Sequence, residues 1–366
     1  MRRSSIYYTF MTVLATSAVI AACAAVDPEA QSDAKLMTVG AGTPVPAAAE
    51  TQAVATEAAD AADDPEIWAD PNDPSRGVIF GSDKKAGLYV YDFDGKVRAF
   101  LPEGPLNNVD LRDGFQVGGR PQVLVAASDR ARGGAALFLL DPADLSVKSW
   151  GLVPVPVSEP YGLCMSRRGD TFNVIVVGIK GDVIEVRVED AGGKPRGTEV
   201  RRFNIGSQAE GCVVDETGGA LYVGEEAKGV WRYPADPAAG IARTLLAPAP
   251  SEMLKPDVEG LTLMRDGDRR FLIASSQGDS AFAVWRVDGA APAYAGRFSV
   301  VAANGVDAVT GTDGVAALGG RVGPYPEGLI VVQDDIDSDG EGPSTTRARQ
   351  NFKLVDWREV KKALGL

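Results

Sequence analysis

Residues 209–233 read Ala209-Glu210-Gly211-Cys212-Val213-Val214-Asp215-Glu216-Thr217-Gly218-Gly219-Ala220-Leu221-Tyr222-Val223-Gly224-Glu225-Glu226-Ala227-Lys228-Gly229-Val230-Trp231-Arg232-Tyr233. An acid, Glu210, opens the stretch, and a short apolar run follows. A Gly-rich turn leads into Leu221-Tyr222-Val223, which ends in small and polar residues. A further turn precedes Gly229-Val230-Trp231-Arg232-Tyr233. Short β-branched and aromatic runs bounded by glycine are the signature of strands. The unit recurs. Its apolar strand reappears as Val78-Ile79-Phe80, Val123-Leu124-Val125, Val174-Ile175-Val176-Val177, Phe271-Leu272-Ile273 and Leu329-Ile330-Val331-Val332. The openers Asp63, Asp110, Tyr161, Glu210, Glu259 and Asp313 are spaced by 47, 51, 49, 49 and 54 residues. A period near fifty built from short strands predicts an all-β chain, a β-propeller, and six units predict six blades. Helical periodicity is nearly absent before Asp356-Trp357-Arg358-Glu359-Val360, which argues against a βαβ fold.

The chain has 366 residues, with 37 Lys+Arg against 50 Asp+Glu and a net charge of −13. That acidity disfavours nucleic acid as a partner, which needs a basic face. Histidine is absent altogether, which excludes a Ser-His-Asp triad, His-ligated zinc and a phosphohistidine. At the N-terminus, Arg2 and Arg3 precede an apolar stretch from Tyr7 to Ala22 that is short for a membrane span. It reads as an export leader over residues 1–22. Ile20-Ala21-Ala22-Cys23 resembles a bacterial lipobox, so Cys23 is expected to carry lipid, with simple secretion as the alternative. Residues 23–60, rich in Ala, Pro and Thr, read as a flexible tether, and 61–366 as the propeller. Cys164 and Cys212 follow their openers by three and two residues, which sends the thiols to opposite faces of their strands. Two separate buried thiols are expected, with no disulfide.

In a propeller, one position in every blade falls on one ring around the channel. The openers supply Asp63 and Asp64, Asp110, Glu210, Asp257 and Glu259, and Asp307 and Asp313. A second set follows the apolar strands: Asp83, Asp129, Glu225 and Glu226, with Gln277 at the corresponding place. Crowded carboxylates repel unless a cation neutralises them, and oxygen-only ligands favour a hard cation, Ca2+ over Mg2+. Lys84, Lys85, Arg130 and Lys180 share the second position, which suits an anion held jointly with metal, phosphate foremost. Asp335-Ile336-Asp337-Ser338-Asp339-Gly340 matches the opening of a calcium loop, but Thr346 stands at its twelfth place. Asp92-Phe93-Asp94-Gly95 reads as a hairpin turn.

These segments resemble the β-propeller phytases, or alkaline phytases. The matching runs are Asp63-Asp64-Pro65-Glu66-Ile67-Trp68, Lys84-Lys85-Ala86-Gly87-Leu88, Leu106-Asn107-Asn108-Val109-Asp110, Pro160-Tyr161-Gly162 and Gln208-Ala209-Glu210-Gly211. They continue through Tyr222-Val223-Gly224-Glu225-Glu226, Asp257-Val258-Glu259-Gly260, Ser275-Ser276-Gln277-Gly278, Thr312-Asp313-Gly314 and Gln350-Asn351-Phe352-Lys353. The resemblance implies a six-bladed, Ca2+-dependent phytase hydrolysing phytate, myo-inositol hexakisphosphate, a small phosphorylated inositol; the chain is expected to be a monomer, with membrane contact only through the lipid anchor at Cys23. It implies Asp63, Tyr161, Glu210, Glu226, Asp257, Glu259, Gln277, Asp307 and Asp313 as calcium ligands. Lys84, Lys85, Arg130, Tyr161 and Lys180 would hold substrate, with Glu210, Lys84, Arg130 and Lys180 as catalytic residues. Asp129 departs from the asparagine frequent there in the family, and Glu327 adds an acid. The rivals are a calcium-dependent esterase or lactonase propeller and a non-catalytic binding propeller. Sites of the former often use histidine; the latter needs no acidic ring.

Overall fold

A computed structural model describes residues 40–57, 60–338, 340–341 and 349–366. The expected leader, Cys23, and the loop positions Asp339 and Thr346 lie outside the described residues. Two short strands come first, β1 (Thr43–Pro46) and β2 (Ala49–Glu50). Blade one is β3 (Ala62–Asp70), β4 (Asp73–Asp83), β5 (Gly87–Tyr91) and β6 (Val97–Leu101). Blade two is β7 (Leu106–Val117), β8 (Arg120–Asp129), β9 (Gly134–Leu140) and β10 (Val147–Pro154). Blade three is β11 (Pro160–Arg168), β12 (Thr171–Gly178), β13 (Asp182–Asp190) and β14 (Pro195–Asn204). Blade four is β15 (Ala209–Asp215), β16 (Ala220–Glu225), β17 (Gly229–Pro234) and β18 (Thr244–Pro248). Blade five is β19 (Leu261–Asp266), β20 (Arg269–Ser276), β21 (Ala281–Arg286) and β22 (Ala293–Val301). Blade six has β23 (Val315–Gly319), β24 (Gly328–Asp334) and β25 (Asn351–Asp356), followed by helix α1 (Trp357–Leu364).

Each blade is an antiparallel meander, and the first strands contact one another in order until β23 returns to β3. This is the expected six-bladed propeller. The second strands are buried on both faces, which is why they read as unbroken apolar runs. The Asp92 turn forms as expected: its Oδ1 accepts from the amides of Asp94 and Lys96 at 3.0 and 2.9 Å, and Gly95 takes φ 76°.

Two expectations are corrected. Residues 43–46 and 49–50, read as tether, are blade strands. β1 pairs in parallel with β22, and β2 pairs with β25 as the fourth strand of blade six. The physical reason is the open edge that β25 would otherwise leave. The N-terminal segment covers it, so the two ends of the domain close one sheet. Asn304 Nδ2 adds a bond to the carbonyl of Ala47 at 2.7 Å.

Second, Cys164 and Cys212 form a disulfide joining β11 to β15, with Cα atoms 5.6 Å apart. Blades pack face to face, so the outward face of one sheet opposes the inward face of the next. Thiols leaving opposite faces of adjacent blades therefore meet between them. Both sulfurs sit in the core shared by blades three and four, with Ile175, Val177, Leu221 and Val223.

The bridge closes a segment whose ends are 48 residues apart. In the chain-entropy account, such a loop contributes about 4 kcal/mol through the unfolded state. The double variant Cys164→Ala/Cys212→Ala should therefore melt several degrees below the oxidised wild type. An unchanged melting temperature would remove the bridge from the list of stabilising contacts.

Candidate active site

The ring stands at the start of each first strand. Asp63, Tyr161 and Glu210 are second residues of β3, β11 and β15, while Glu259 and Asp313 lie just before β19 and β23. Four of these are followed by glycine, and close approach of the neighbouring blade is the cause. A Cβ on Gly162 would lie 1.9 Å from the carbonyl oxygen of Glu210, and one on Gly211 would lie 2.0 Å from that of Glu259. On Gly314 it would meet Asp64 Oδ1 at 2.3 Å. Backbone bonds tie the same positions together: Gly260 N donates to Asp313 O, and Gly314 N to Asp63 O, both at 3.1 Å. The motif of an acid before glycine is thus the mark of blades meeting at the channel mouth.

The carboxylates converge on Glu210. Asp63, Glu210 and Asp313 form one trio with oxygens within 4.8 Å of one another, and Glu210, Glu226 and Glu259 form another. All five residues are buried. Such clusters of buried acids can coordinate a divalent metal. Burial pushes Asp63 well above the usual carboxylate range, and Asp313, Glu210 and Asp64 add to the rise against the opposing charge of Lys84. Burial likewise raises Glu259, with Glu226 and Glu210 adding to it. Asp257 is raised by burial and by Asp313. The mouth itself is a cavity of about 30 Å³ lined by Tyr161, Gln208, Glu226, Asp257, Glu259 and Gln277, among others.

Lys84 does not stand out at the mouth as a phosphate clamp. Its ammonium lies among the acids, 2.6 Å from Asp60 Oδ1, 3.1 Å from Asp63 Oδ1 and 3.0 Å from Asp313 Oδ2. Burial alone would lower it, but Asp313, Asp63 and Asp60 outweigh that and raise it well above an ordinary lysine. Burial alone would raise Asp60, yet Lys84 and Lys85 hold it below its usual value. Lys85 is on the rim, 3.2 Å from Asp60 with 40% of its side chain exposed. Arg130 Nε pairs with Glu159 at 2.7 Å, and its guanidinium lies 5.5 Å from the centre of the Tyr161 ring. Lys180 is exposed and has no carboxylate at ion-pair distance among the described residues.

Several expected members lie elsewhere. In blade two the ring place belongs to Asn107, not Asp110. Leu106 pairs with Asp129 as Ala62 pairs with Asp83 and Ala209 with Glu225. Asn107 Nδ2 donates to Glu210 Oε1 at 2.7 Å. Asp110 sits three residues further down, bonded to Arg112 and to the Met165 amide. There it helps line a channel cavity of about 200 Å³ with Glu66, Arg112 and Glu216. Asp307 belongs not to the ring but to a separate cluster, paired with Lys353 beside Glu50, Asp334 and Asp337, in which Glu50, Asp307 and Asp337 form a further trio able to hold a metal ion. The calcium-loop motif divides: Asp337 enters that cluster, whereas Asp335 lines the mouth and accepts from Gln350. Of the second acidic set, only Glu226 and Gln277 reach the mouth. Asp83 caps its own turn, Asp129 pairs with Arg132, and Glu225 is held by Ser207 and by Trp231 Nε1. Glu327 pairs with Lys361 at 2.5 Å. Asp60, Asn107 and Gln333, whose Oε1 accepts from the Asp313 amide at 2.8 Å, are participants the sequence reading missed. Aligning Leu106-Asn107 with Ala62-Asp63 finds Asn107.

The family described as Phytase matches residues 8–366. A 3-phytase of Bacillus subtilis (strain 168) is 35% identical over 333 residues, covering 88% of this chain and 85% of that protein. Among solved structures, a protein from Lactobacillus plantarum has a TM-score of 0.49 at 13% identity, covering 82% of this chain and 89% of its own. The β-propeller domain of Cps50 (Swd1) from Myceliophteria thermophila has a TM-score of 0.45 at 12%, covering 78% and 82%. At that likeness neither bears on function.

The raised acids set a pH dependence. Asp63, Asp64 and Glu259 lie well above ordinary carboxylates, and burial with the nearby charge of Asp307 lifts Asp334 to about 8 against the pull of Lys353. Between about pH 4 and these values the native state binds more protons than the unfolded chain, so stability falls as pH rises. Asp60, lowered in the fold, loses its contribution only as pH falls below that window. With chelator present, melting should occur at a higher temperature near about pH 5.5 than near about pH 8. The reverse order would show that the acids are not held as close together as the geometry places them.

Proposed function

The chain belongs to the phytase family, a phosphoric monoester hydrolase acting on phytate-like substrates, and from that premise we propose that it works as a Ca2+-dependent phytase at the Glu210 ring. The observation that carries the reading is the convergence on Glu210 of carboxylates from four blades. The donors fit a hard cation. Asp63 Oδ2 and Glu259 Oε2 are buried and receive no hydrogen bond among the described residues, which leaves carboxylate oxygen in need of positive charge. Asp63, Glu210, Glu226, Glu259 and Asp313 would hold the metal, with Asp257, Gln277 and Tyr161 at the mouth completing an all-oxygen set. Bound calcium supplies Lewis acidity and neutralises charge developing on the phosphoryl oxygens.

The chain's own residues do the rest. Asn107 pins Glu210 through Oε1 and so orients the carboxylate. Glu210 accepts a hydrogen bond from the attacking water and aligns it with phosphorus, opposite the departing inositol oxygen. No histidine exists in the chain, and Cys164 and Cys212 are joined, so neither type supplies a nucleophile in the domain. Arg130, supported by Tyr161 and Glu159, grips one phosphate at the rim, and exposed Lys180 with Lys85 reaches a neighbouring phosphate of the same substrate. Positive rim residues above a metal-filled acidic ring let an acidic protein hold a polyanion.

Phosphate release from phytate should require calcium and stop with chelator. Glu210→Gln should lose about 10²–10³ in rate, with little rescue by excess calcium. Asp313→Asn should be partly rescued. Lys180→Ala should raise KM for phytate at an unchanged calcium midpoint, with a smaller effect on a monophosphate. Equal calcium responses in Asp313→Asn and Lys180→Ala would dissolve the division between metal ring and phosphate grip.

We also propose that hydrolysis takes place outside the cytoplasm, on a lipid-anchored or secreted chain. A disulfide between Cys164 and Cys212 suits an oxidising compartment. Cys23→Ser should shift the protein from membrane to soluble fractions, and a wild type already soluble would reject the anchor.

A further inference from the structure

Lys84 stands one residue beyond β4, and only 3% of its side chain is exposed. Its ammonium caps Asp63 Oδ1 at 3.1 Å and Asp313 Oδ2 at 3.0 Å. Those two residues, with Glu210, make up one of the three metal-competent trios among the described residues. A hard divalent cation takes such oxygens at about 2.3–2.6 Å. The ammonium holds one oxygen of each of these two carboxylates, and a cation bridging Asp63 and Asp313 on that side would meet it at contact distance, where two positive charges repel. A third partner, Asp60, is also held by Lys85 at 3.2 Å, so it keeps a counter-ion if Lys84 departs. The mouth cavity, which Lys84 itself lines, opens beside it toward Tyr161, Gln208 and Gln277.

We infer that Lys84 and a divalent cation are alternative occupants of the Asp63–Asp313 side of the ring, and that metal loading releases the Lys84 ammonium into the mouth to meet substrate phosphate. The inference rests on the calcium reading above. Before loading, Lys84 is the resident counter-ion of acids brought together by the fold. After loading, the ring gains a doubly charged ion, and the mouth gains the single charge that left it. One residue thus links phosphate affinity to metal occupancy. Lysine suits this task because its charge is compact and its four-carbon stem is flexible, whereas a planar guanidinium would be fixed by its fork.

Two measurements on the full chain test this, with calcium alone as the probe. In wild type, amine acylation read by mass spectrometry should leave Lys84 unlabelled in chelator and label it in calcium. Lys362, 79% exposed, serves as the invariant control. In Lys84→Met, calorimetry should show calcium binding tighter by about tenfold, because the competitor is gone, within the usual range of coupling between sites. If calcium fails to bind even the wild type, the calcium reading falls, and the exchange with it. If calcium binds while Lys84 labelling stays flat or drops, the exchange is overturned and the calcium reading survives. Weaker or unchanged affinity in Lys84→Met likewise overturns it. Should that variant fail to fold without metal, the labelling of wild type decides alone.

Discussion

Five carboxyl groups, those of Asp63, Glu210, Glu226, Glu259 and Asp313, lie against one another in a buried site. Their mutual repulsion is the constraint around which the rest is arranged. Like charges at this range are tolerated only with protons or cations among them. Lys84 supplies one positive charge from within, against five carboxyl groups. The same deficit leaves a site that could coordinate a divalent cation. On the proposed reading, stability and catalysis pull against each other at this one place.

Holding those groups together needs a scaffold that resists splaying. The propeller provides it by bringing the starts of its first strands to one end of the channel. Gly162, Gly211, Gly260 and Gly314 let the strands approach so closely that any side chain there would strike a neighbour. Closure is completed from both termini, with β2 covering β25 and β1 covering β22. The Cys164–Cys212 bridge locks blades three and four, the latter carrying Glu210 and Glu226.

Much of this was legible in the chain. The apolar second strands announced themselves because burial on both faces leaves no polar alternation to blur them. Glu210, Glu259 and Asp313 could be placed because each opens a repeat at a regular interval. Blade two misled because its ring residue is neutral: Asp110 drew the eye as an acid, but Asn107 has the register. Asp307 was wrongly joined to the ring because it precedes Asp313 closely in sequence, although it pairs with Lys353 from β25. The pairing of Cys164 with Cys212 was missed because strand parity was judged within single sheets, whereas blades meet across opposite faces.

The linear sequence by itself determined the fold class, the number of blades, the ring glycines and most of its acids, because strand burial and close backbone approach impose residue types at each repeat. Only the tertiary structure decided which charges become neighbours. Lys84 is far from Asp313 in sequence, and Glu50 is far from Lys353, yet each pair lies in contact. Electrostatic energy depends on separation in space and on solvent exclusion, and neither quantity is written in the spacing of residues along a chain.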